Sequence, residues 1–291
     1  MIRFFDGGMG SMLNLAAGEL PEKLNISEPE RVFAVNKGYA DAGAEFITAN
    51  TFGANSLKYD NVDELVKAGV ALAKKAGKYV ALDIGPTGKL LKPMGDLEFE
   101  KAVELFAEVV RAGKDGSDVA IIETMSDMYE LKAAVIAVKE NSDLPIITSM
   151  IFDESGRLLT GGDVKSAVAM LEGLRVDAIG FNCGLGPKQM IPLVKELREC
   201  TSLPILVMPN AGLPESVDGK TVYNVSPDEF AQDMREIAKL GVSILGGCCG
   251  TTPKHIAKMI ELCKDIPDNV PEKKNDTVVC SYSSAVTIGE K

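Results

Sequence analysis

Three of the six cysteines, Cys183, Cys248 and Cys249, carry the chemistry that is easiest to name in this chain. Cys248 and Cys249 are adjacent within Gly246-Gly247-Cys248-Cys249-Gly250, and Cys183 follows Asn182 about 65 residues upstream. Zn²⁺ takes thiolates at about 2.3 Å in a tetrahedron, and a site with three protein ligands leaves the fourth position open for chemistry. The glycines around the pair supply backbone freedom to turn both sulfurs toward one ion. Two plainer readings compete: small buried apolar residues, or a vicinal or cross-strand disulfide formed in air. Adjacent cysteines framed by glycines, with a third sulfur expected at a neighbouring strand end, favour the metal. Cys200 and Cys263 fall late in helical stretches and read as packing residues, while Cys280 has no assigned role. His255 is the only histidine, so a His-rich metal site is ruled out and a Ser-His-Asp triad disfavoured. It opens the last helical stretch and is expected near the surface.

These sulfurs need a scaffold that brings distant strand ends together. Eight short apolar runs, 3–6, 45–52, 79–85, 119–125, 145–152, 178–184, 204–212 and 242–250, alternate with helical patterns. The runs are almost wholly apolar, as in parallel strands buried on both faces. Helix starts are marked by Ser27-Glu28-Pro29-Glu30 and Ser226-Pro227-Asp228-Glu229, each with Ser at the expected cap and Glu three residues on, and by Thr252-Pro253. Eight such units are the arithmetic of a (β/α)₈ TIM barrel, α/β in class. A doubly wound open sheet is the alternative, but Asp6-Gly7-Gly8-Met9-Gly10-Ser11 does not have the spacing of a dinucleotide-binding turn. Residues 1–268 are expected to form the single barrel domain and 269–291 a linker or short C-terminal tail.

In such a barrel the active face lies at the C-terminal strand ends. There the runs finish in Asp6, Asn50-Thr51, Asp83, Glu123-Thr124, Asn182-Cys183, Asn210 and Cys248-Cys249. Polar and soft groups therefore collect at one end of otherwise apolar strands. Asn50, Thr51 and Asn210 read equally well as loop braces, and Asp83 has no assigned role.

Composition sets the outer bounds. The 291 residues are 46% hydrophobic and 25% charged, with 31 − 42 = −11 formal charges, so neither nucleic acid nor an anionic membrane surface is an expected partner. No apolar run approaches the ~20 residues needed to span a bilayer, and the N-terminal residues do not resemble a secretion signal. Six cysteines in a chain of this length are not a secreted disulfide framework, which points to the cytoplasm.

Gly246-Gly247-Cys248-Cys249-Gly250-Thr251, paired with Asn182-Cys183, resembles the zinc signature of the homocysteine S-methyltransferase family. Asp6–Ser11, Ala49–Phe52, Glu123–Met125 and Pro209–Pro214 resemble its other strand-end motifs, over about residues 1–268. Within the family, the stretch from Asn210 through Gly219-Lys220-Thr221-Val222-Tyr223 is most similar to the N-terminal homocysteine-binding domain of cobalamin-dependent methionine synthases. Val286–Glu290 resembles the start of their connection to a folate-binding domain. The resemblance implies Zn²⁺ held by Cys183, Cys248 and Cys249, and homocysteine bound as thiolate for conversion to methionine. It further implies that Asp6 and Glu123 hold the substrate ammonium, that backbone N–H groups around Gly7 and Gly8 receive its carboxylate, and that Asn50, Thr51 and Asn210 stand nearby. The methyl group is expected from methylcobalamin on a separate corrinoid-binding domain or protein, because a chain with one histidine, His255, has no corrinoid motif. Betaine, S-methylmethionine or another acceptor thiol are the alternatives within this chemistry. A non-catalytic zinc- or redox-sensing barrel is the alternative of another class, and it would need a fourth protein ligand to close the site.

Overall fold

The apolar runs form shorter strands than their sequence limits. In the computed structural model, which describes residues 1–15, 18–217 and 220–289, they are β1 (Arg3–Phe4), β2 (Phe46–Thr48), β3 (Tyr79–Ile84), β4 (Val119–Met125), β5 (Ile146–Met150), β6 (Ala178–Asn182) and β7 (Ile205–Met208). After a hairpin of β8 (Glu215–Val217) and β9 (Lys220–Val222) comes β10 (Ile244–Leu245). Gly219 and Glu290, both part of the family resemblance, lie outside the described residues.

The parallel order β1-β10-β7-β6-β5-β4-β3-β2 is closed by a bridge between Phe5 and Phe46, giving the (β/α)₈ barrel. The helices are α1 (Met9–Leu13), α2 (Leu24–Ser27), α3 (Pro29–Asp41), α4 (Val62–Ala76), α5 (Phe99–Gly113), α6 (Met128–Asn141), α7 (Val164–Gly173), α8 (Pro187–Cys200), α9 (Pro227–Ala238) and α10 (Pro253–Cys263). From α3 to α10 they alternate with the barrel strands. Among the described residues, no helix is long and apolar enough to cross a membrane.

Strand alternation explains how this scaffold makes a site. Side chains two apart share a face, and Phe5, Ala81, Ile121, Ile147, Ala178, Leu206 and Ile244 fill the barrel interior. Toward the strand ends the inward positions become Thr48, Asp83, Glu123 and Ser149, with Asn182 two steps beyond Ala178, so the interior turns polar at its C-terminal end. The opposite faces of the strands join the helices in the larger apolar core.

Two local expectations are corrected, and two hairpins appear that the sequence did not announce. Ser27 does not cap α3: Glu28 occupies that position with φ −139°, and the Ser27 hydroxyl donates to the Lys23 carbonyl at 3.2 Å. Ser27 already ends α2, whose unpaired carbonyls compete for its hydroxyl. His255 is buried at 7% exposure. Its Nδ1 accepts from the Thr252 N–H at 3.2 Å and its Nε2 lies 3.0 Å from the Val225 carbonyl, which makes it part of the α10 cap. The connection after β7 is the β8–β9 hairpin. Finally, the tail contains a second hairpin, β11 (Thr277–Cys280) with β12 (Ala285–Ile288), packed on α7. At its turn, Tyr282 meets Tyr129 edge to face at 4.9 Å.

Candidate active site

The three sulfurs converge because two strand ends are tied to the loop between them. Cys183 leaves β6 in a left-handed conformation, φ 59°. Beyond β10, the Cys248 N–H donates to the Pro209 carbonyl at 2.8 Å and the Cys249 carbonyl accepts from Ala211 N–H at 2.9 Å. Both bonds fix the double-cysteine turn to the segment after β7. Of the glycines framing it, only Gly250 adopts a left-handed backbone, φ 77°, and a Cβ there would lie 2.3 Å from the Tyr223 ring. Gly246 and Gly247 serve close packing instead, against Phe5 and Thr251.

The Sγ atoms of Cys183, Cys248 and Cys249 all lie within 4.8 Å of one another, with Cys183 and Cys249 at 3.9 Å. Tetrahedral zinc–sulfur bonds of about 2.3 Å place sulfurs about 3.8 Å apart, so this donor set fits a thiophilic divalent ion. All three thiols are free. Hydrogen bonds from Cys183 and Cys248 pull the Cys249 thiol down to about 3, against its burial, and the Tyr223 hydroxyl assists. The bonds Cys248 gives to Cys183 and Cys249 push its own thiol up. The Cys249 thiol, so disposed to ionise, with two more sulfurs beside it, suits a cation.

Asn182 links these sulfurs to the rest of the mouth. Its Oδ1 accepts from Thr124 N–H and Ser149 Oγ, both at 2.8 Å. Its Nδ2 reaches Thr124 Oγ1 at 2.7 Å, Glu123 Oε2 at 3.4 Å and Cys248 Sγ at 3.9 Å.

A cavity of about 210 Å³ opens beside the sulfurs, bounded also by Asp6, Gly8, Thr48, Asp83, Glu123 and Phe52. Burial pushes Asp6 up to about 7, although Thr48 N–H and hydroxyl hold its two oxygens at 2.8–3.1 Å. Burial, then the charges of Asp6 and Cys249, raise Glu123 to about 8. Both acids thus face the same enclosed space in which a cation would restore their ionised forms.

The other sequence-derived residues divide between lining and bracing. Gly7 and Gly8 are required by close approach: a Cβ would lie 2.5 Å from Thr251 Oγ1 at Gly7 and 2.7 Å from the Cys248 carbonyl at Gly8. The Gly8 N–H is already donated to Thr251 Oγ1 at 3.1 Å. Asn50 lines the cavity, but its Nδ2 bonds Pro21 O and Asn25 Oδ1, both at 2.8 Å, and Thr51 Oγ1 donates to the Asp83 carbonyl at 2.7 Å. Asn210 is buried with its Oδ1 unpartnered. Cys200 and Cys263 end their helices and Cys280 lies in β11, outside the sulfur group. Sequence reasoning assigned no role to Thr48, Asn182 or Tyr223. Period-two alternation could have pointed Thr48 and Asn182 inward, whereas nothing local marks Tyr223.

A family model described as homocysteine S-methyltransferase matches residues 3–263. Methionine synthase of Mycobacterium leprae (strain TN) is 30% identical across 98% of this chain and 27% of its own length. That of Mycobacterium tuberculosis is 30% identical across 98% and 26%. The chain therefore spans about a quarter of the length of these curated relatives. The metallated form of the homocysteine methyltransferase MmuM from Escherichia coli superposes with a TM-score of 0.75 at 23% identity, over 89% of this chain and 95% of that one, a likeness of fold. With the family model running from the first barrel strand to the last helix, the chain belongs to the homocysteine S-methyltransferase family of enzymes.

Proposed function

We propose that this chain activates homocysteine through a zinc ion held by Cys183, Cys248 and Cys249, for methyl transfer from a methyl-corrinoid carried on another domain or protein. The observation that carries this reading is the convergence of three free sulfurs, open on one side to a cavity with acidic walls. Bound there, Zn²⁺ would favour loss of the proton from a fourth, substrate thiol and keep its sulfur nucleophilic without changing its own charge. The protein's part is to hold the reactants. Asn182 and Tyr223 orient the cysteine cup, and Asp6 and Glu123 offer negative charge to a substrate ammonium.

The rim of the mouth supports a macromolecular donor. Phe52, Leu57, Leu90, Met94, Leu159 and Leu213, all in loops after barrel strands, are exposed large apolar side chains. Exposed apolar side chains on the face that carries the cavity are surface that a docking protein would cover. A folate-binding domain belongs to the same proposal, as do the boundary between 1–268 and 269–291 and a reducing cytoplasm that keeps the thiols free.

The test is methionine formation followed by mass spectrometry, with homocysteine and methylcobalamin, betaine or S-methylmethionine as donor. The reading expects methionine from methylcobalamin and its loss in Cys248→Ala. Turnover with betaine or S-methylmethionine alone would replace the donor, and no transfer from any donor would remove the catalytic reading.

A further inference from the structure

The end of β4 is not held by the sheet alone. Its pairing with β5 runs from Ala120 to Ile122, shifts register, and resumes only at Met125 opposite Met150. Glu123 and Thr124 fall in the gap, and Thr124 has a left-handed backbone, φ 59°. Such a conformation is unfavourable for a residue with a Cβ and persists only where the surroundings hold it. On one side the holder is Asn182, whose Oδ1 accepts the Thr124 N–H at 2.8 Å. On the other, the chain turns at Ser126 into α6. The first turn of α6 is capped by Asp127, which accepts from the N–H groups of Tyr129 and Glu130 at 2.6 and 3.2 Å.

That second side is where the tail arrives. The turn of the β11–β12 hairpin is closed by Ser281 N–H donating to the Ser284 carbonyl at 2.8 Å. It carries Tyr282, whose ring stands edge to face against Tyr129 with centroids 4.9 Å apart. The Tyr282 hydroxyl is buried beside Asp127, Met128 and Thr160. From the same turn the Ser283 carbonyl accepts from Arg157 Nη1 at 3.3 Å, and Thr160 Oγ1 donates to the Ser126 carbonyl at 3.2 Å. Residues 281–284 thus join the β4–α6 turn to the β5–α7 loop, both at the C-terminal end of the barrel. Glu130, next to Tyr129, accepts from the Thr87 N–H at 2.8 Å and its hydroxyl at 2.6 Å, which extends the support to the loop after β3. An isolated two-stranded hairpin is marginal in water, so the restraint is mutual: the barrel orders the tail and the tail braces the mouth.

We infer that the tail hairpin is a strap at the rim of the active face, with Tyr282 as the positioning residue that holds the β4–α6 turn and so fixes the end of β4. The brace itself does not depend on what the site binds. Its consequence for the reaction rests on the homocysteine reading, in which the end of β4 meets the substrate.

The test compares the full chain with Tyr282→Ala and Tyr282→Phe, each zinc-loaded, by amide hydrogen exchange and by calorimetric binding of L-homocysteine. In Tyr282→Ala, exchange in peptides spanning 123–130 should quicken about tenfold, as for loss of one aromatic pair, while α3 and α10 exchange as in wild type. Homocysteine should bind about fivefold more weakly, within the range by which packed elements are coupled, at unchanged zinc content. Tyr282→Phe, which keeps the ring against Tyr129, should behave as wild type in both. Unaltered exchange in 123–130, a rise spread evenly over the chain, or wild-type homocysteine affinity in Tyr282→Ala would overturn the inference. A wild-type protein that binds no homocysteine would instead overturn the homocysteine reading, and the exchange pattern would still decide whether the strap exists.

Discussion

Asn182 occupies the position at which several requirements meet: it steadies the Thr124 backbone, shares hydrogens with Glu123 and approaches the Cys248 sulfur. Partners that orient a metal ligand are typically worth 10- to 100-fold in metal affinity. Asn182→Ala should therefore weaken zinc binding by about that factor in a competition titration with a chelator, with the barrel still folded. Thr48 has a different task. Thr48→Val keeps the backbone donor to Asp6 and removes the hydroxyl, leaving a buried carboxyl short of a partner. A loss of about 1–3 kcal/mol is expected in denaturant unfolding. The three cysteines were legible in the sequence because their types and glycine frame are unusual. Asn182 and Thr48 were not assigned roles because an amide or a hydroxyl at a strand end is common, and only the inward register distinguishes these two.

At the scale of elements, the barrel strands were legible as apolar runs, although their ends were not. Strand pairing stops where the chain turns outward, and runs such as 242–250 continue past Leu245 into the cysteine turn. The two hairpins were missed because each is short and mostly exposed, without a buried face to impose an apolar pattern. The β8–β9 hairpin nonetheless delivers Tyr223 to Gly250 and to the Cys249 sulfur. Gly250→Ala should disturb this contact twice over. It puts a Cβ into the ring and costs about 1–2 kcal/mol for the left-handed backbone, so weaker zinc retention and a lower melting temperature are expected together. Capping was read correctly at α9, where Ser226 and Glu229 form a reciprocal capping box. Ser226→Ala should cost about 1 kcal/mol in thermal unfolding without affecting zinc.

For the whole molecule, an acid-lined mouth on a closed barrel ties stability to pH. Folding raises Asp6 from 3.8 to about 7 and Glu123 from 4.5 to about 8, both chiefly by burial. The folded, metal-free protein therefore holds protons that the unfolded chain releases. The contribution of these two acids to stability should fall as pH rises from about 4 to about 8, by at most about 1.4 kcal/mol per pH unit for each, against an opposite contribution from the Cys249 thiol that folding pulls down. Glu123→Gln should flatten this slope, and denaturant midpoints at pH 5 and pH 8 would show it; an equal slope in wild type and variant would contradict the assignment. The central claim, that three cysteines hold a zinc whose fourth position takes the substrate sulfur, is tested most directly by zinc K-edge X-ray absorption on the reduced protein with and without homocysteine. The expected result is one zinc per chain whose sulfur shell grows from three to four atoms at about 2.3 Å on adding homocysteine. A protein that retains no zinc under reducing conditions, or a sulfur shell that homocysteine leaves unchanged, would contradict it.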